Sequence, residues 1–205
     1  AYLLGLMRFC TVLAALDTGS SFEGLGASRE VTFAVLAEPA LLLGLAALAR
    51  RAGAFSLSEV YGAVRLFDFG PTGGLPLILI GAAFFVVYLA ENARIPFDDP
   101  NTHLELTMIH EVMVLDHGGP DLALVHYAAA LKIWVLGALV VGVLLPMRTG
   151  FLALDLVSSF TGMALLAVAT GCVESTMARL RLSRVPQLLV TATVLSTLAL
   201  MLVLR

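Results

Sequence analysis

Charge is what this sequence is short of. Asp, Glu, Lys and Arg make up 13% of its 205 residues, about half of the roughly 25% usual in a soluble domain. Hydrophobic residues reach 60% and the mean hydropathy is +0.97, which excludes a water-soluble domain and makes the chain an integral membrane protein. The formal net charge of −3, with no lysine- or arginine-rich run to track phosphates, sets nucleic acid aside as a partner. Cysteine is nearly absent too. Cys10 and Cys172 stand alone with no C-x-x-C spacing, so there is no disulfide framework to read, and both are expected to be buried small apolar groups. Also missing are a G-x-G-x-x-G after a strand, a P-loop and a G-x-S-x-G. No soluble domain, internal repeat or low-complexity linker interrupts the apolar text.

What is there is a series of long apolar segments. The first, 1–16, falls short of the roughly 20 residues that cross a bilayer. Without an initiator Met, and without the order of a signal peptide, it reads as the remaining part of a spanning helix whose beginning is missing. The glycine- and serine-rich 17–27 reads as a loop, and further spans are predicted at about 28–49, 74–90, 122–145, 151–173 and 185–204. A short helix is expected at Leu57 to Phe67. In the 151–173 span, Gly162, Ala164 and Gly171 are small enough to let neighbouring helices approach. The expected fold is all-α: a single membrane domain over 1–205, a bundle of about six transmembrane helices, N-terminally incomplete. The 17–27, 93–120 and 174–185 connections would share one side with Arg94, Arg179, Arg181 and Arg184. Arg50, Arg51, Arg65, Arg148 and Arg205 fall on the other. That near balance lets the positive-inside rule choose no orientation.

Most of the ionisable side chains are gathered in 91–121, ENARIPFDDPNTHLELTMIHEVMVLDHGGPD. Pro96 and Pro100 bracket Phe97, Asp98 and Asp99 and force an extended or turning segment at about 93–101. Thr102 and Glu105 then form a capping box, and Leu104, Met108, Ile109, Val112 and Leu115 recur at helical spacing. A short amphipathic helix is predicted, ended by Gly118 and Gly119. His103, His110 and His117 are seven residues apart. On one helix that separates neighbours by about 10.5 Å, too far for one metal ion, so a polar face or proton exchange is the better reading.

Carboxylates inside spans are the second signal, since one at the centre of a membrane helix costs about 2.5–3.5 kcal/mol. Glu38 lies near the middle of its span, followed by Pro39, which opens the helix locally. Two roles stand open for it: a proton relay in a hydrated pocket, or a structural pair with a basic residue such as Lys132 or Arg29.

The run A-E-x-x-R-x-P-F-D-x-P-x-x-x-x-E-L, Ala90 to Leu106, resembles the signature loop of the subunit 1 family of respiratory complex I. The longer text IPFDDPNTHLELTMIHEVMVLDHGGPDLAL, with GSSFEGLGASRE, is more similar to the branch in formate hydrogenlyase and hydrogenase-4, the group 4 membrane-bound NiFe hydrogenases. Glu91, Arg94, Pro96, Phe97, Asp98, Pro100, Glu105 and Leu106 match the family motif, and Glu38, nine residues after Arg29, is similar to its arginine and intramembrane glutamate. Asn101 and His103 stand where complex I often has glutamates, and Glu111 falls two residues early, a thinner acidic lining for a quinone chamber.

The resemblance implies a non-catalytic subunit of an oxidoreductase complex in the inner (cytoplasmic) membrane, with 91–121 facing the cytoplasm. It would anchor a peripheral redox arm and link electron transfer to proton translocation. Its implied partners are the hydrogenase large and small subunits, an Fe–S subunit and antiporter-like membrane subunits, besides the lipid bilayer. No cofactor is implied in this subunit; NiFe and Fe–S centres would sit in the partners. The candidate proton relay is Glu38, Glu91, Asp98, Glu105 and Glu111, with Glu30 and Glu174 in reserve, and the candidate docking loop is Arg94, Pro96, Phe97, Asp99 and Pro100, with no metal ligands. Two other readings compete: a quinone-reactive subunit 1 of complex I proper, and an autonomous secondary transporter. The second is disfavoured by the lack of two related halves with paired broken helices.

Overall fold

A computed structural model describes residues 2–63, 74–98, 109–145 and 151–205. The predictions for Arg65, Asp99, Pro100, Glu105, the capping box and Arg148 lie outside the described residues. Described are seven α-helices: α1 (Tyr2–Asp17), α2 (Ser21–Ala52), α3 (Leu57–Ala63), α4 (Gly74–Glu91), α5 (Gly119–Leu144), α6 (Leu152–Thr176) and α7 (Val185–Leu204). Two 3-10 turns, Glu111–Val114 and Leu182–Arg184, complete the elements, and the described residues form no strand. Five helices are long and apolar enough to cross a membrane: α2, α4, α5, α6 and the one ending at Leu204.

Five of the six predicted spans fall on these five helices; the sixth, 1–16, falls on α1, which is not among them, and the start of α2 also departs from the reading. Ser21 already begins α2, so the glycine-rich segment read as a loop is helical except at 18–20. Packing overrides glycine's poor helix propensity there: Gly26 faces Val112, Met113 and the Ile109 carbonyl so closely that a Cβ would collide with them. At 32 residues and about 1.5 Å per residue, α2 is roughly 48 Å long, well beyond a hydrocarbon core of about 30 Å.

At the centre lies α4, which buries Leu77, Ile80, Ala83, Phe84, Val87 and Tyr88 against α2, α5 and α7. Gly44 of α2 lies against the Phe84 ring. Beside Pro39, the buried Ser196 hydroxyl of α7 donates to the Ala40 carbonyl at 2.8 Å, tying α7 to α2 where little else polar is present.

The small residues of α6 behave differently from expectation. Gly162 packs against Val141, but Gly171 faces open space and Ala164 is exposed. Both cysteines are exposed as well, because their helix faces point away from the bundle, where a membrane protein meets lipid.

Three connections gather at one end of the bundle, as the sequence predicts for one side. The Leu180 amide donates to the Pro96 carbonyl at 3.0 Å, and the Asp116 amide donates to Glu23 Oε1 at 3.0 Å. The predicted amphipathic helix is not continuous across its described part, which is the 3-10 turn Glu111–Val114. Val112, Met113 and Val114 are all buried, and three successive buried side chains do not fit a one-faced α-helix. Gly118 and Gly119 start a helix and do not end one: Gly118 is extended, Gly119 has φ +57°, and Pro120 occupies the first turn of α5, where its missing N–H costs nothing.

Candidate functional site

Four helices bring charged side chains together in the interior. Arg8 lies midway along α1, and its Nη2 donates to both carboxylate oxygens of Glu91, at 2.6 Å to Oε1 and 2.5 Å to Oε2. Its Nη1 donates to Glu38 Oε1. From Glu91 the chain continues to Lys132 of α5, whose Nζ is 4.0 Å from Glu91 Oε2 and 3.8 Å from Glu30 Oε1. The order is therefore Glu38, Arg8, Glu91, Lys132, Glu30. The planar guanidinium suits this position because its fork can serve two carboxylates at once. Glu91, Lys132, Glu30 and Arg8 are largely covered, whereas the Glu38 side chain is 49% exposed.

Glu38 opens onto a cavity of about 430 Å³ lined by Tyr2, Leu4, Arg8, Ala37, Leu41 and Glu91, among others. Its walls are apolar and its polar end is the ionic chain. The direct basic partner of Glu38 is Arg8, which the sequence reading passed over inside an apolar run. Lys132, the partner anticipated for Glu38, is spent on Glu91 and Glu30.

The turn after α4 forms a second group. Phe97 is 1% exposed and Asp98 4%, so Phe97 supports the turn from beneath and offers no surface for docking. Asp98 accepts from the Ile109 amide at 2.8 Å and from Arg179 Nη2 at 3.0 Å, which joins the start and end of the loop to the α6–α7 connection. Arg94 lies 3.6 Å from Glu174 and keeps its side chain 38% exposed. Glu111 heads the 3-10 turn and is partly covered.

A third group was not foreseen. Glu23, fully buried, accepts from the Thr18 hydroxyl and the Asp116 amide, with His117 Nδ1 at 3.7 Å. It fastens the 109–118 segment to the α1–α2 turn. Its sequence signal was a carboxylate inside a glycine-rich run that reads as a loop.

Residues 1–205 match the NADH dehydrogenase family along their whole length. The chain belongs to the NADH dehydrogenase subunit 1 family. Within that family it is similar to component C of hydrogenase-4 from Escherichia coli (strain K12), 35% identical over 185 residues, which cover 87% of this chain and 56% of the relative. It is also similar to subunit 4 of formate hydrogenlyase from the same organism, 33% identical over 193 residues, 91% of this chain and 61% of the relative. The chain thus spans roughly three-fifths of the length of these curated relatives. As a subunit 1 protein it is a multi-pass membrane protein, with the ionic chain in the interior of the helical bundle and the loop contacts at one end of it.

Proposed function

We propose that the protein is a membrane subunit of a group 4 NiFe hydrogenase complex, of formate hydrogenlyase or hydrogenase-4 type. It anchors the peripheral redox arm and links electron transfer to proton translocation in the cytoplasmic membrane. The observation that carries this reading is the row Glu38–Arg8–Glu91–Lys132–Glu30, five ionisable groups in contact across four helices. Intramembrane charges are expensive and mark ion and proton paths, and Arg8 and Lys132 hold three carboxylates, the proton acceptors of the row, close to one another. The names of the two relatives support the hydrogenase setting. NiFe and Fe–S centres belong to the partner subunits in this reading, which include hydrogenase large and small subunits, an Fe–S subunit and antiporter-like subunits. The segment 91–121 faces the cytoplasm and the arm.

The test is proton movement per hydrogen formed in sealed membrane vesicles carrying the whole complex. Glu38→Gln and Glu91→Gln keep size and hydrogen bonding but cannot titrate. Both should lower that ratio while the complex still co-purifies. Undiminished proton movement in both assembled variants would reduce the row to helix pairing.

A second reading, a quinone-reactive subunit, draws support from the cavity beside Glu38, whose volume and apolar walls suit an organic ring with a polar head. Quinol-dependent hydrogen turnover that is lost on Leu41→Trp, a substitution in the cavity wall, would favour it.

A further inference from the structure

Between the ionic chain and the loop lies a second, much smaller cavity, of about 20 Å³, lined by Glu91, Asn92, His110, Ala129, Lys132 and Ile133. Its size decides what it can hold. A single water needs roughly 10–15 Å³ on this measure, so there is room for one water and for no organic ring or ion with its shell. Its lining is polar on several sides, with a carboxylate, an ammonium, an imidazole and an amide. Asn92 donates through Nδ2 to the Tyr88 carbonyl at 2.7 Å, while its Oδ1 is buried with no partner among the described residues. A buried amide oxygen left that way costs on the order of 1–3 kcal/mol, and a water donating to it relieves that cost. Two to four polar partners are what a structural water requires.

We propose that one ordered water in this cavity, held by Asn92, Glu91 and Lys132, joins His110 to the ionic chain and makes His110 the proton link between the 109–118 segment and Glu91. This rests on the relay reading above and names its entry residue. In the transfer, a proton from the loop side binds the free ring nitrogen of His110 as the N–H on the other nitrogen passes its proton to the water. The water in turn releases one of its own protons to a Glu91 oxygen. One proton enters and one leaves, and the imidazole ends neutral as its other tautomer. His110 is suited to brief loading because burial, then Lys132 and His126 of α5, push its pKa down to about 4, with Asp98 opposing them. The proton is therefore passed on and not stored.

The experiment compares proton movement per hydrogen formed in vesicles carrying the intact complex for the parent, His110→Gln, Ala129→Leu and Glu38→Gln. Ala129→Leu fills the cavity and leaves every ionisable group in place. His110→Gln and Ala129→Leu should each lower the ratio by about tenfold, less than the roughly 10²–10⁴-fold that a positioned acid or base contributes to a chemical step, and His110→Gly should regain it when imidazole is added. Imidazole rescue is not expected of a residue that merely packs. If Glu38→Gln uncouples the complex but assembled His110→Gln and Ala129→Leu do not, this link is wrong and the relay stands. If Glu38→Gln and Glu91→Gln leave coupling intact, the relay itself is wrong and the link falls with it. Should His110→Gln fail to assemble, Ala129→Leu and the imidazole arm decide the matter.

Discussion

Arg8 holds Glu91 through one arm of its fork. One nitrogen, Nη2, meets both carboxylate oxygens within 2.6 Å, although the two residues are 83 positions apart. Arg8→Ala would leave two carboxylates facing each other, the covered Glu91 keeping only Lys132, at 4.0 Å, as a cation. Removing one member of a buried pair costs about 3–5 kcal/mol, and the half-exposed Glu38 places this case at the lower end. Thermal unfolding of the detergent-solubilised subunit should show a clear loss for Arg8→Ala and a smaller one for Arg8→Lys, which keeps the charge without the fork. Equal stability of Arg8→Ala and parent would mean that solvent replaces the fork.

Arg94 is the cation of the loop whose side chain remains 38% exposed, with Glu174 at 3.6 Å. Arg94→Ala should release the peripheral arm from washed membranes while the subunit itself folds. Full co-purification of the arm with that variant counts against docking at Arg94. Reduced amounts of the subunit in the membrane would instead assign Arg94 to the Glu174 contact.

Glu23→Ala removes the acceptor for the Asp116 amide and the Thr18 hydroxyl at a fully buried position. Each hydrogen bond to a carboxylate contributes about 1.5–3 kcal/mol. The loss should be local, so hydrogen exchange at the Asp116 amide should accelerate by at least about tenfold, since 1.4 kcal/mol is one decade. Exchange in the α4 core should not change. Unaltered protection at Asp116 would show that the apolar contacts of Val112 and Met113 suffice to hold the segment.

Acid should loosen the same end. His110 titrates at about 4 in the folded protein, below the ordinary value near 6.5. Between those values the unfolded chain binds the proton that the folded one refuses, so stability rises with pH through that window. It is fully present above about pH 6.5, declines on acidification towards pH 4 and changes no further below that on account of this group. The depression corresponds to an upper limit of about 3 kcal/mol. His110→Gln should flatten that limb of the stability–pH curve. An unchanged slope between pH 6.5 and 4 would place the acid sensitivity in other groups.

Gly44→Ala places a methyl into the Phe84 ring. Overpacking of this kind costs about 1–3 kcal/mol, and Phe84→Leu should restore part of it if the clash is the cause. Thermal unfolding of the single and double variants measures the coupling, and purely additive losses would deny it.

Length and hydropathy made the spans legible: α4 and α7 fall almost where the apolar runs place them. Glu38 was legible as an expensive carboxylate, but its partner was not, because Arg8 sits in a run judged for hydrophobicity alone. An arginine within such a run carries the same insertion cost and was the signal to follow. The pairing of Arg8 with Glu91 depends on how α1 packs on α2 and α5, which no local pattern encodes. Gly26 misled for a related reason: a glycine favours a loop locally, yet here it makes room for Val112 and Met113 inside a helix. His110 and His117, seven apart, would share a face on one helix. The 3-10 turn and the restart at Gly118 send them instead to separate neighbours, Lys132 and Glu23.

The row Glu38, Arg8, Glu91, Lys132, Glu30 alternates acid and base but begins and ends on an acid. Fully ionised, its five members therefore sum to a single negative charge, and one added proton makes the row electroneutral wherever along it that proton rests. In the proposed relay, loading and unloading that proton would move one elementary charge, and where the row lies within the bilayer the step would feel the membrane potential, at up to about 2.3 kcal/mol per 100 mV for a full crossing. On that proposal, an odd count of charges would make a set of helix contacts sensitive to voltage.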